Sequence, residues 1–203
     1  MSFVSRAGLK LDHALSYFNI DVTGHTCADL GSNAGGFVDC LLQRGAAKVY
    51  AIDTGYGALE WKLRKDPRVV TMERTNAMHA ILPEKVSRIT IDVAWTKQKH
   101  ILPAARRMIA EDGIVVALIK PHYEAVPSLL RKGVLPAEDV EEVVAAASLE
   151  IRAAGFEVVR TVKSPIKGAK GNIEVLAWLR VSGGSRSAGD ADGREEAPPI
   201  RAL

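Results

Sequence analysis

The sequence predicts an α/β domain built on an open, mostly parallel, seven-stranded sheet with helices on both faces. Three observations predict it. Seven short apolar runs are rich in Val and Ile, segments of helical character separate most of them, and four of the runs close on a charged residue. Strand and helix in alternation are the mark of parallel strands joined by right-handed crossovers.

Taken in order, the chain opens with an amphipathic helix. Leu11, Ala14, Leu15 and Phe18 are spaced i, i+3, i+4, i+7, and Lys10 falls at the edge of that apolar face. Strands follow at Thr26–Leu30, Lys48–Ile52 and Val69–Met72, then at 89–93, 114–119, 156–162 and 173–181, with helices expected over 36–44, 58–65, 97–111 and 137–154. The last two strands are linked by a Pro/Gly/Lys loop with no helix, so they are expected to pair antiparallel. From residue 182 onward the composition collapses to Gly, Ser, Ala, Asp, Arg and Pro, which cannot bury a face. The expected organisation is one domain over 1–181 and a disordered tail over 182–203.

Composition narrows the function. The chain has 203 residues, 47% of them hydrophobic, enough for one real core. A formal charge of +3 is too mild for a protein that merely coats nucleic acid. Four Phe, three Trp and four Tyr are too few for a binding surface built from aromatic platforms. No apolar run approaches the ~20 residues that cross a bilayer, and residues 1–10 carry no signal-peptide core, so a cytoplasmic protein without membrane contact is expected. Cys27 and Cys40 stand without a second pair, which suggests two reduced, buried thiols and neither a disulfide framework nor a zinc site. No metal is expected.

The chemistry gathers at strand ends. Asp29, Asp53, Asp92 and Lys120 lie at or just beyond the carboxyl ends of four strands, the border where doubly wound sheets bind ligands. Singly, each is an ordinary strand end; together they mark one cleft. After Asp29 the chain runs Gly31-Ser-Asn-Ala-Gly35-Gly36 into a helix. Glycines let a backbone approach a ligand closely, and a helix N-terminus offers unpaired N–H groups, so a side chain at Gly35 is expected to fill the ligand's space. Asp53 stands where an acid would accept from a ribose diol, and a nucleoside-bearing cofactor is indicated. The spacing is neither G-x-G-x-x-G nor a P-loop. Glu174 stands out because its neighbours Ile173, Val175, Leu176, Ala177, Trp178 and Leu179 are all apolar, so a buried carboxylate there needs a partner.

These residues carry a resemblance. Asp29-Leu-Gly-Ser-Asn-Ala-Gly-Gly-Phe37 resembles the S-adenosylmethionine-binding turn of FtsJ-like RNA 2′-O-methyltransferases. Five further stretches resemble the TlyA family: Ser5-Arg-Ala-Gly-Leu-Lys-Leu11, Arg44 through Gly57, Glu73-Arg-Thr-Asn76, Leu118-Ile-Lys-Pro121 and Ser164 through Glu174. The family, often labelled hemolysins, methylates ribosomal RNA. The resemblance implies a Rossmann-like class I methyltransferase fold with an antiparallel last strand, S-adenosyl-L-methionine as cofactor and rRNA as partner. It places the family's catalytic tetrad on Lys10, Asp92, Lys120 and Glu174. Cofactor contacts fall on Asp29, Gly31, Ser32, Asn33, Gly35, Gly36, Phe37, Asp53, Asn76 and Asp92.

Those residue types suit the reaction. A ribose 2′-hydroxyl is a poor nucleophile and needs a base beside it as it attacks the methyl carbon. A lysine serves where burial and a second cation favour its neutral form. Lys120 is then the expected base and Lys10 the second cation, with Asp92 and Glu174 balancing charge and holding Lys120. Of the five histidines, His13, His25, His79 and His100 are scattered, and His122 adjoins the cleft. Tyr56 can line the cofactor pocket, whereas Trp61 suits the core by its helical spacing. Lys163, Lys167 and Lys170, with Arg160, can grip phosphates or simply be solvated. Members of the family usually carry an S4-type RNA-binding module ahead of this domain, which is not expected here, and Val93-Ala-Trp-Thr-Lys97 departs from the family's usual stretch. A small-molecule acceptor is therefore the alternative, and a membrane-lytic protein a remoter one. No oligomeric state follows from the sequence.

Overall fold

The computed structural model describes residues 2–183, so the expected tail beyond residue 183 lies outside the described residues. A leading helix α1 (Ala7–Phe18) is closed by Asn19 in the left-handed conformation. Strand β1 (Thr26–Leu30), helix α2 (Gly36–Gln43), strand β2 (Lys48–Ile52), the single turn α3 (Trp61–Arg64) and strand β3 (Val69–Met72) form the first half. The second half runs β4 (Val86–Ile91), α4 (Gln98–Met108), β5 (Ile109–Ile119), the short α5 (Pro121–Glu124), α6 (Val140–Ala153), β6 (Phe156–Lys163) and β7 (Val175–Val181).

The seven strands form one sheet in the order β3-β2-β1-β4-β5-β7-β6. The pairs among β1 to β5 are parallel, and β7 inserts antiparallel to both β5 and β6. The strand order reverses between β1 and β4, which opens the ligand crevice over their carboxyl ends. The pleat sends alternate residues to two cores. Leu30, Ile52, Ile91, Ala117 and Ala177 pack under α4 and α6, while Cys27, Val49, Val116 and Leu176 pack under α1, α2 and α3. Cys27 and Cys40 are free and buried, and burial pushes both thiols up to about 12, so neither is a ready nucleophile.

Several boundaries differ from the sequence expectation. Helix α4 stops at Met108 rather than 111, because Ile109 pairs with Val86 and so begins β5 five residues early. Strand β4 likewise starts at Val86 and ends at Ile91. The helix expected over 58–65 shrinks to one turn: Glu60 is extended, with ψ 139°, and its N–H is drawn to Ala34 O at 3.2 Å. Strand β7 starts at Val175, leaving Glu174 just ahead of the ladder.

Candidate active site

Register alone brings the strand-end residues together. Leu30 pairs with Ile52 on one side and Ile91 on the other, so Gly31, Asp53 and Asp92 follow in one row. The N–H groups of Gly31 and Ser32 both donate to Ile52 O, at 2.9 and 3.0 Å, which curls the turn back over β2. Gly31 has φ +91°, and a Cβ there would stand 2.5 Å from the Asp92 carbonyl oxygen. Only glycine fits that contact. Asp53 braces the turn from below: Oδ2 accepts from Asn33 N at 2.8 Å and Oδ1 from Gly55 N at 2.7 Å.

A side chain at Gly35 would point at protein, where the sequence expectation has it entering a ligand's space. A Cβ at this residue, whose φ is +94°, would run into Leu63 and Leu59, so the position is small because α3 packs on it. At Gly36 a side chain would meet Ser5, Ala7 and Gly8, which explains why the Ser5-Arg-Ala-Gly stretch and the turn go together. Phe37 is buried among the side chains of the α1–α2–α3 core. Asn76 is exposed, with its Oδ1 accepting from Met78 N at 2.9 Å.

Asp29 is fully buried beneath the turn. Its Oδ1 accepts from Thr90 Oγ1 at 2.6 Å, and Oδ2 has no hydrogen-bond partner among the described residues. Burial pushes its carboxyl up to about 7, against the Thr90 hydrogen bond and reinforced by the charges of Asp92 and Asp53.

The four tetrad candidates form two ion pairs. Lys120 Nζ lies 2.7 Å from Asp92 Oδ1 and donates to Val93 O at 3.0 Å. Lys10 Nζ lies 2.5 Å from Glu174 Oε2, with side chains only 9% and 4% exposed. The pairs are adjacent by register, since Ile119 pairs with Val175 and the next residues on the two strands are Lys120 and Glu174. Glu174 thus holds Lys10 rather than Lys120, which corrects two expectations: that both acids serve Lys120, and that Lys10 stands beside it as a bare second cation. The loop before β7 covers Glu174 closely, and a Cβ at Gly168 would strike its carboxylate. His122 is buried within electrostatic reach of both pairs; burial lowers its pKa, Glu174 opposes that shift and Lys120 adds to it.

Trp61, expected in the core, is 66% exposed with Lys65 over its ring, because Leu59 and Leu63 do the packing of that turn. Tyr56 is exposed under Arg74, at 4.2 Å. Lys163, Lys167, Lys170 and Arg160 are exposed, and Arg160 lies over Tyr17. Sequence reasoning missed a cleft of about 680 Å³ lined by Met78, His79, Trp95, His100 and Arg107. Its walls come from the loop after β3, the loop after β4 and one face of α4; the one signal available was Trp95, three residues after Asp92, which is 81% exposed with φ +54°. Among the described residues no group of acids, histidines and cysteines could hold a metal ion, and no helix is long and apolar enough to cross a membrane.

The FtsJ-like methyltransferase family matches residues 3–181, the whole of the sheet and both ion pairs. The chain belongs to that family. This FtsJ-like chain is similar to the 16S/23S rRNA (cytidine-2'-O)-methyltransferase TlyA of Mycobacterium tuberculosis, with 39% identity over 186 residues, 88% of this chain and 69% of the relative. It is also similar to Hemolysin A of Brachyspira hyodysenteriae, 42% identical over 183 residues, 87% of this chain and 76% of that one. A solved structure of a hemolysin-named protein from Streptococcus thermophilus shares 37% identity at a TM-score of 0.87, covering 94% of this chain and 71% of that chain. As an FtsJ-like methyltransferase, the protein takes S-adenosylmethionine as its cofactor.

Proposed function

We propose that this FtsJ-like methyltransferase acts in the cytoplasm and methylates a ribose 2′-hydroxyl of ribosomal RNA, with Lys120 as the base. The observation that carries the reading is the Lys120–Asp92 pair at 2.7 Å, on the residue whose carbonyl Gly31 must clear. A lysine fixed beside the cofactor turn is what a weak oxygen nucleophile requires.

The residues present fit the cofactor. Asp29 Oδ2 is a buried oxygen under the turn with no hydrogen-bond partner among the described residues, and Asp53 keeps lone pairs for a ribose diol beyond its two backbone bonds. Gly31, Ser32, Asn33 and Gly36 supply the turn's backbone, Phe37 only main-chain atoms, Gly35 room for α3, and Asn76 an exposed amide near the rim. When bound, S-adenosylmethionine supplies an electrophilic methyl carbon. Lys120 first releases the proton of its ion pair to solvent and then takes the proton of the attacking hydroxyl; Asp92 balances the ammonium so re-formed while the Val93 carbonyl holds its nitrogen in place. Lys10 and Glu174 neutralise each other alongside, keeping α1 against β7 without placing a net charge next to the base.

The test is transfer of tritiated methyl from the cofactor to 16S and 23S rRNA, followed by nucleoside analysis. A 2′-O-methylnucleoside is expected, and an RNA with a 2′-deoxynucleotide at the modified position should bind as well yet accept no methyl. Methyl on a base, or survival of transfer to the deoxy substrate, would overturn the assignment; transfer to small molecules alone would replace it.

A further inference from the structure

Two basic turns face each other beside the tetrad. Between α5 and α6, Arg131 and Val134 bond to each other in both directions, at 2.8 and 3.0 Å, around Lys132 and Gly133. Those two residues have φ +53° and +81°. In the loop that leads to β7, Lys170 and Gly171 repeat the arrangement with φ +56° and +82°. A left-handed residue before glycine is ordinarily asparagine or aspartate, and the conformation is unfavourable for a lysine. Lysine nevertheless stands at both tips.

A single buried amide joins the turns. Asn172, 2% exposed, accepts from Leu135 N at 3.0 Å through Oδ1 and donates through Nδ2 to Gly133 O at 3.1 Å and Ala169 O at 3.0 Å. Beneath it Leu130 and Ile173 pack on a small apolar cluster of Ala125, Leu135, Val140 and Val143. The Lys170 ammonium sits over Gly133, where a Cβ would come within 2.9 Å of it. Two residues beyond Asn172 is Glu174. The exposed cations Arg131, Lys132, Lys167 and Lys170 therefore ride on a frame that is tied to the Lys10–Glu174 pair. Among the described residues the acid that approaches Arg131 is Glu138, 3.8 Å away with both side chains largely exposed, a pair too loose to neutralise the cluster.

We infer that Arg131, Lys132, Lys167 and Lys170 grip the sugar-phosphate backbone of the RNA substrate, and that Asn172 is the positioning residue that sets this grip at a fixed distance from the tetrad. The inference rests on the RNA reading above. Point charges on a rigid frame suit phosphates, which set register on the substrate without reading sequence.

The experiment compares the parent chain with Arg131→Ala/Lys132→Ala/Lys170→Ala in binding to a single-stranded 16S rRNA fragment over a series of salt concentrations, and in methyl transfer to rRNA. The variant is expected to melt at the parent's temperature and bind cofactor equally well, since the three side chains are exposed. RNA affinity should fall roughly tenfold or more, with a salt slope shallower by about 0.7 for each phosphate that is no longer neutralised. The KM for rRNA should rise at unchanged kcat. Asn172→Ala, which keeps every cation, should lower kcat more than it lowers RNA affinity. If the parent methylates rRNA and the triple variant does so with the parent's KM and salt slope, the grip is wrong and the RNA reading stands; a variant whose loss is independent of salt points to a protein partner and also overturns the grip. If the parent transfers no methyl to rRNA, the RNA reading fails and the grip with it.

Discussion

Lys10 and Glu174 stand 164 residues apart in the chain and 2.5 Å apart in the structure. The contact ties the first turns of α1 to the edge of β7, and both side chains are withdrawn from water. Removing one member of such a pair strands a buried charge and costs about 3–5 kcal/mol, whereas an apolar replacement of both is often neutral. Glu174→Gln and Lys10→Met should each lower the urea midpoint markedly, and Lys10→Met/Glu174→Leu should recover most of the loss. Methyl transfer should stay low in all three. A double variant with the parent's activity would make the pair structural.

Lys120→Ala should lower methyl transfer by ~10²–10⁴-fold, the typical worth of a positioned base, with cofactor affinity nearly unchanged. Single-turnover kinetics and calorimetry together measure both. Half-retained activity would remove Lys120 from the chemistry.

The two glycines of the turn should fail differently. Gly31→Ala drives a methyl group against the Asp92 carbonyl in a left-handed residue, so it should displace Asp92 and lower cofactor affinity and rate together. Gly35→Val meets Leu59 and Leu63 instead, so its first effect should be a lower melting temperature through α3. Thermal melts alongside calorimetry separate the two outcomes.

Asp29 should make the cofactor-free protein less stable as pH rises. Its carboxyl titrates at about 7 in the folded chain against 3.8 ordinarily. Between those values the folded state holds a proton that the unfolded state has lost, so this contribution is full below about pH 4 and gone above about pH 7. Asp29→Asn has no such proton, so its stability relative to the parent should rise from pH 5 to pH 8 in urea titrations. Identical pH profiles would show that Asp29 is already ionised.

Much of the site was legible because strand ends are local signals. A five-residue strand with an acid next to its end, followed by a glycine turn, identifies Asp29 and Gly31 from neighbours alone, and the same logic gives Asp53, Asp92 and Lys120 as candidates. Glu174 showed itself as a charge among apolar neighbours. Less local features went astray: Trp61 has helical spacing, yet the turn that carries it is too short to bury it, and Ile109 reads as the end of a helix until Val86 claims it for the sheet.

By itself the sequence determined the alternation of strands and helices, the antiparallel return of the last strand and the residue types of the site, because periodicity and turn chemistry act over a few residues. Only the tertiary structure decided which lysine meets which carboxylate, which glycine faces α3 and which faces Asp92, and that Asn172 joins two loops nearly forty residues apart. Those outcomes depend on strand register and on the close approach of distant backbones, and neither is encoded in the neighbours of any one residue.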